Sequence, residues 1–248
     1  LDSEGAHVGA MSPFGSICFK SNKNSTRTLS NMSNCFIDYL KNIEIFHLKA
    51  RIPSIPYDGR TLLFFKLIDI RLKGSGSFTF DLSFFINLKN LKFNTDLRRN
   101  IRLSSADLNF EKIESIDEMA DLYEVLSQNR MAIGAKMSVS GDYFRKLLTV
   151  ADVVCIKHEG RIVAGAVLYN LGESIFLAWW GDCLETRSLR PMYLLFKEIL
   201  ERYKNKFMYF DLGTSTSDSE INYGLTDYKL GLGATSSMVL NYSVSIDE

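Results

Sequence analysis

Between residues 153 and 212 the chain carries a punctuated series that few architectures can accept. Three apolar runs of strand length, 153–157, 162–169 and 174–180, are separated by little more than Glu159-Gly160 and Leu171-Gly172. Such pairs close tight turns, so the three runs are expected to pair antiparallel as a meander. The next element has a different period. Pro191 suits the first turn of a helix, and Tyr193, Phe196, Ile199, Leu200 and Tyr203 recur at the spacing of one buried helical face. A further apolar run, 207–212, follows. Strand, helix and strand in succession predict a right-handed crossover that makes 174–180 and 207–212 a parallel pair. A meander leading into a crossover predicts an α/β (α+β) chain, a mixed, twisted sheet flanked by helices.

The flanks are read in the same way. Ser115-Ile-Asp-Glu118 is a capping box, and the helix it opens, 116–128, puts Met119, Leu122, Tyr123 and Leu126 on one face. A shorter helix is expected over 142–150, and 238–246 alternates as a last strand. Upstream, 16–20 is strand-like and 21–28 a polar loop. Residues 29–40 form an amphipathic helix through Leu29, Met32, Phe36, Ile37 and Leu40. Residues 43–52 read as a strand and 61–72 as a second strand-sized run before the turn Lys73-Gly-Ser-Gly-Ser77. Residues 78–85 restore period two, with Phe78, Phe80, Leu82 and Phe84 on one face, and 88–106 is a basic helical segment. A chain of 248 residues accommodates two modest domains, expected here over 1–110 and 111–248.

Composition excludes several classes. A hydrophobic content of 46% is enough for a core, against disorder. Lys and Arg total 29, as do Asp and Glu, so no overall field draws the chain to nucleic acid or anionic lipid, although a local basic patch is compatible with that balance. No apolar run approaches the roughly 20 residues of a membrane helix. The chain starts at Leu1 with no secretory hydrophobic region, which reads as the inside of a longer protein or a processed start. Cys18, Cys35, Cys155 and Cys183 show no paired spacing, which favours reduced, cytoplasmic thiols over disulfides. The histidines, His7, His47 and His158, are scattered, so no metal site is expected.

In open α/β sheets ligands bind beyond the carboxyl ends of the parallel strands. Two positions qualify. The loop 181–190 brings Arg187 and Arg190 beside the first N–H groups of a helix, which suits a phosphate or pyrophosphate; pairing with Asp182 and Glu185 is the alternative. Asp211-Leu-Gly213 ends an apolar strand with a carboxylate that is costly to bury unpaired. Asp211 is a candidate to deprotonate or hold an amine, or simply to cap the loop that follows. In Tyr228-Lys-Leu-Gly-Leu-Gly-Ala234, Lys229 either neutralises a phosphate or carboxylate or sits as a cation at a helix end. Arg98, Arg99 and Arg102 cluster, Arg98 and Arg102 one turn apart, as a phosphate groove or a solvated face.

Asp211-Leu-Gly213, then Gly224-Leu225, then Tyr228-Lys229-Leu-Gly231-Leu232-Gly233 resembles the closing signature of the Fem peptidoglycan aminoacyltransferases, within the broader GNAT acyltransferases that include BioF2-like acetyltransferases. Leu232 and Tyr228 stand where that signature commonly has Phe. Ser12-Pro-Phe-Gly15 resembles a loop of the first half of related enzymes, residues 98–102 their basic linking helix, and Asn129-Arg130 the position of an Arg after the second unit's first helix. The resemblance implies a GNAT-like acyl-CoA N-acyltransferase fold, with a partial first unit and a complete second one. It implies transfer of an acyl or aminoacyl group to an amine of a cell-envelope or sugar-linked acceptor, such as a cell-wall precursor. Asp211 and Lys229 would be catalytic, and Arg98, Arg99, Arg102, Arg130, Arg187, Arg190, Trp180 and Tyr228 would bind substrate. The pyrophosphate loop usual in GNAT proteins contains glycines that 185–191 lacks, so the implied donor is acyl-CoA or aminoacyl-tRNA, with tRNA and a second copy of the chain as implied partners. With no Cys or Ser placed beside a His as nucleophile, the expected chemistry is direct attack by the amine. The alternative is a non-catalytic GNAT-like binding module or partner subunit.

Overall fold

A computed structural model of the chain describes residues 6–7, 25–53, 59–217 and 220–246. The expected strand at 16–20, the Ser12-Pro-Phe-Gly15 loop, Cys18 and the first half of the polar loop 21–28 lie outside these residues, while residues 26–28 of that loop already belong to the first helix. In chain order the elements begin β1 Ala6–His7, α1 Thr26–Asn42, β2 His47–Ile52, α2 Gly59–Arg71, β3 Ser77–Asn87 and α3 Thr95–Arg102. Next come β4 Leu108–Lys112, α4 Ile116–Ala132, α5 Gly141–Lys146, β5 Asp152–His158, β6 Arg161–Leu171, β7 Ser174–Asp182 and α6 Pro191–Tyr203. The last are β8 Tyr209–Thr214, β9 Thr216–Ser217, β10 Glu220–Ile221, α7 Tyr223–Gly231 and β11 Thr235–Ser245. They divide into two compact units, one of residues 1–83, 214–223 and 236–248, the other of 84–213 and 224–235. This division follows compactness, whereas the expected 1–110 and 111–248 division follows the partial first unit and complete second unit that the resemblance implies.

The second unit holds the expected meander. Strands β4, β5, β6 and β7 pair antiparallel in that order, and β8 joins β7 in parallel. Glu159 and Gly160 both take positive φ in the first hairpin turn, as a tight primed turn requires. On β6 every residue from Val163 to Leu168 is buried, the continuous apolar run of a strand covered on both faces. One cover is α4 with α5. Met119, Leu122, Leu126 and Phe144 pack with Val153, Cys155 and Val167 in a single cluster. Gly165 shares that face, and a Cβ there would stand 2.4 Å from Leu122 Cδ1, so only glycine lets α4 approach β6 so closely. On α6, Phe196, Ile199, Leu200 and Tyr203 are buried as the spacing predicts, Tyr193 is only half-buried, Leu195 is buried in addition, and Pro191 occupies the first turn.

The capping box is formed: Ser115 Oγ accepts from Glu118 N at 3.2 Å. The carboxylate of Glu118 reaches back to Glu114 N and Ser115 Oγ, and also takes Lys157 Nζ at 2.7 Å. Glu118 is accordingly more acidic than usual, first because of the Lys157 bond, and Lys157 is held above its ordinary value by Glu111 and Glu118. Two expectations in this unit need correction. Residues 108–112 form the edge strand β4, and the basic segment 88–106 is helical in earnest only over α3, after a 3-10 turn at Leu88–Asn90. Asn94 stops the helix from extending upstream, because its side chain caps α3 through Leu97 N at 2.7 Å.

In the first unit β2 runs parallel to β1 and antiparallel to β11, and β3 lies beside β11. The expected strand at 61–72 is instead the helix α2. Thr61, Phe64, Phe65, Ile68 and Asp69 are its buried residues, a helical i, i+3, i+4, i+7, i+8 set in a stretch too apolar to alternate visibly. Their partners are Ile37 and Leu40 of α1, Leu48 and Ile52 of β2, and Tyr242 and Val244 of β11. Along β3 the expected apolar face is divided, since Phe84 is 1% exposed and Phe80 55%.

Candidate active site

The expected parallel pair opens toward its carboxyl end. β8 matches β7 only at Ser174 with Tyr209, Ile175 with Phe210 and Phe176 with Asp211. Beyond Phe176, β7 continues to Asp182 beside β6 alone. Within that stretch the β6–β7 register slips: Leu168 faces Leu177 but Val167 faces Trp179, so Ala178 is an extra residue, a β-bulge. A bulge bends its strand and frees backbone groups from the ladder. Backbone from Leu177 to Trp180 therefore borders the gap left by the diverging strands.

Asp211 and Lys229 are brought together at this gap. Asp211 sits at the last paired position of β8 and is 2% exposed. Its Oδ1 accepts from Gly213 N at 2.7 Å, a local turn that Gly213 permits with φ +68°. Lys229 reaches the same turn from α7, is 1% exposed, and donates through Nζ to Gly213 O at 3.0 Å. Its ammonium also lies 5.6 Å from the centre of the Phe84 ring. Burial pulls the Lys229 pKa down to about 7, against an opposing pull from the Asp211 charge. A lysine at that value changes protonation near neutral pH, which a surface lysine does not.

Aromatic residues wall the adjoining space. Trp180 stacks on Tyr228 with ring centres 5.8 Å apart and meets Phe196 edge-on at 5.5 Å. Tyr193 lies 5.8 Å from Tyr228. The Tyr228 hydroxyl is buried without a hydrogen-bond partner, and burial, with Tyr193 and Asp182 nearby, raises its pKa well above the ordinary value. Asp182 is the residue that reading the sequence missed as part of the site. It is 9% exposed and accepts from Asn129 Nδ2 and Arg187 Nε, each at 3.0 Å. Gly181 makes the Asn129 contact possible, since a Cβ there would stand 2.9 Å from Asn129 Cγ. The sequence did hold a signal, an acid directly after the aromatic strand end Trp179-Trp180-Gly181.

The candidate arginines are distributed. Arg187 is bonded to Asp182, the pairing set against anion binding, and Arg190 donates to Asn100 Oδ1. Arg190 also takes left-handed backbone, φ 59°, at the entry to α6. Arg130 is half-buried at the end of α4, and burial lowers its pKa. Arg98 and Arg102 line a groove of about 490 Å³ with Phe93, Thr95, Ile101, Lys197 and Glu201, while Arg99 is exposed beside it. The thiol of Cys155 is fully buried and pushed up to about 12 by burial, far from the value of a reactive thiolate.

Comparison with known proteins agrees with this geometry. The chain superimposes on FemX with a TM-score of 0.67 at 10% identity, over 87% of this chain and 77% of that one. L-PGS from Bacillus licheniformis gives 0.61 at 13% identity, over 87% and 72%. A tandem GNAT protein from the clavulanic acid biosynthesis pathway gives 0.53 at 11% identity, over 94% and 74%. At such identities the likeness is one of fold. A search of curated proteins by sequence gives no match. Residues 92–230, more than half of the chain, match the Acetyltransferase (GNAT) domain family, from the basic linking segment through Lys229, and the chain belongs to that family.

Proposed function

We propose that the chain is an N-acyltransferase that passes an acyl or aminoacyl group to an amine of a cell-envelope or sugar-linked acceptor by direct attack. The observation that carries this reading is the meeting of Asp211 and Lys229, both buried, at the mouth of the diverging strands β7 and β8. Backbone N–H groups around the Ala178 bulge are suited to hold the acyl carbonyl oxygen as charge develops on it. Asp211 holds or deprotonates the attacking amine, and Lys229, with a pKa near 7, supplies or withdraws a proton or neutralises charge beside it. Trp180 and Tyr228 form the apolar wall of the acyl position. Arg130, half-buried and at depressed pKa, is proposed to meet an anionic group of the substrate.

The splayed strands fit an acyl carbonyl on any carrier. The loop ahead of α6 does not fit the glycine-rich pyrophosphate cradle of acyl-CoA, because it lacks glycine and its Arg187 and Arg190 are bonded to Asp182 and Asn100. Those same bonds favour the second reading, a binding module without chemistry. The two are separated by single-turnover assays with acyl-CoA and aminoacyl-tRNA donors against amine acceptors. Asp211→Asn is expected to lower the rate about 10²–10⁴-fold, with no acyl-protein adduct by intact mass. Full activity in that variant removes Asp211 from the chemistry, and an adduct on Cys155 or Cys183 overturns direct attack.

A further inference from the structure

The chain's zero net charge conceals a separation of charge. Segments 88–102 and 197–206 together carry nine Lys and Arg against three Asp and Glu, so the remaining residues hold an excess of six acids. Both segments belong to the second unit and meet along one seam. Two grooves run along it. The first, described above, is lined by Arg98, Arg102 and Lys197. The second, about 620 Å³, is lined by Lys89, Lys204 and Lys206 with Leu88, Leu91 and Phe207, and Glu173 is its one acid. Lys197 is held by Glu198 and Glu201. The other five cations lining the grooves are exposed, and none has a carboxylate partner among the described residues. Leu103, at the end of α3, is 51% exposed beside them.

Unpaired cations in this number, on two segments that meet where α3 packs on α6, repel one another and point to a polyanionic partner. Nucleic acid and lipid surfaces make different further demands. Single strands are held by aromatic faces on which bases stack. Here the Phe110 face is covered by Arg202 at 5.1 Å, and Tyr203 is buried. Phe93 and Phe207 are half-buried in the groove linings. An anionic bilayer asks only for cations that reach headgroup phosphates, with an apolar side chain such as Leu103 at the rim. We propose that the α3–α6 seam docks the protein on a bilayer of anionic phospholipid, with Arg98, Arg102, Lys89, Lys204 and Lys206 on the headgroup phosphates. The proposal uses neither Asp211 nor Lys229, and it assigns Arg98 and Arg102, which the resemblance gives to substrate, to the bilayer instead.

The test is co-sedimentation of the full chain with large vesicles of phosphatidylcholine, with and without about one third phosphatidylglycerol, beside a triple variant R98Q/R102Q/K206Q. A single Lys or Arg near an anionic surface strengthens partition about five-fold, so the triple variant should lose on the order of 100-fold. The wild type should pellet with anionic vesicles, stay in solution with neutral ones, and be released by 0.5 M salt, while the variant melts at the wild-type temperature. Equal binding of wild type and variant to anionic vesicles overturns the proposal, as does no binding by either. So does tighter binding of the wild type to a single-stranded or hairpin RNA, measured by anisotropy in the same buffer and lost in the variant. If the variant melts early, R98K/R102K/K206R, which keeps the charge, must restore vesicle binding for the assignment to stand.

Discussion

Lys229 should make the stability of the chain rise with pH above neutrality, the sign that native carboxylates give in the acid range. A lysine that titrates at 10.5 in the unfolded chain and at about 7 when folded is penalised by burial only while it is charged. Below pH 7 both states hold the proton, and the full penalty of burying the ammonium is present. Between pH 7 and 10.5 the unfolded chain binds more protons than the folded one, so stability rises with pH. Above 10.5 both states are neutral and the penalty is gone. At 1.36 kcal/mol for each tenfold change, the displacement from 10.5 to about 7 corresponds to roughly 5 kcal/mol. Lys229→Met keeps the length and removes the charge. The variant also leaves Asp211 without its cationic neighbour, which shifts its stability by an amount that does not titrate between pH 7 and 10. The informative quantity is therefore the difference between wild type and variant in urea unfolding, followed from pH 6.5 to 9.5. Wild type should gain about 3 kcal/mol relative to K229M across that interval. Parallel pH profiles would refute the depressed pKa, and with it the assignment of Lys229 to proton transfer near neutrality.

Two further outcomes test the frame around the site. Gly165→Ala places a methyl 2.4 Å from Leu122 Cδ1 and 2.9 Å from Val154 O, so urea unfolding should show a loss of about 1–3 kcal/mol; an unchanged midpoint would mean that α4 is free to shift on β6. Asp182→Ala removes the acceptor shared by Asn129 and Arg187 and should cost about 2 kcal/mol by the same measurement.

Most of the second unit was legible because its period is unambiguous and its turns are marked. The meander, the Pro191 helix and the parallel pair all appear as the sequence predicts, down to the point where β7 and β8 part. Segment 61–72 was misread for a physical reason: in Thr-Leu-Leu-Phe-Phe-Lys-Leu-Ile nearly every position is apolar, so neither period shows until neighbours bury one set. Strand β4 was missed because an edge strand with one buried residue, Leu108, carries almost no pattern. At the site, Asp211 and Lys229 were found through chemistry, a carboxylate ending an apolar strand and a cation before glycines. That they share the turn at Gly213 depends on the chain folding back over a separation of 16 positions from Gly213 to Lys229, which no local pattern encodes.

The interleaving of the two units sets the order in which this chain can become complete. It crosses from one unit to the other at residues 83, 213, 223 and 235. The first unit's core draws on Ile37 near its beginning and on Tyr242, Val244 and Ile246 near its end. During synthesis the early helices α1 and α2 must therefore wait, with their apolar faces exposed, until β11 has been made. The second unit can assemble its meander meanwhile, but Lys229 arrives only with α7. A chain cut short of β11 therefore already holds Lys229 but lacks Tyr242, Val244 and Ile246 of the first unit's core.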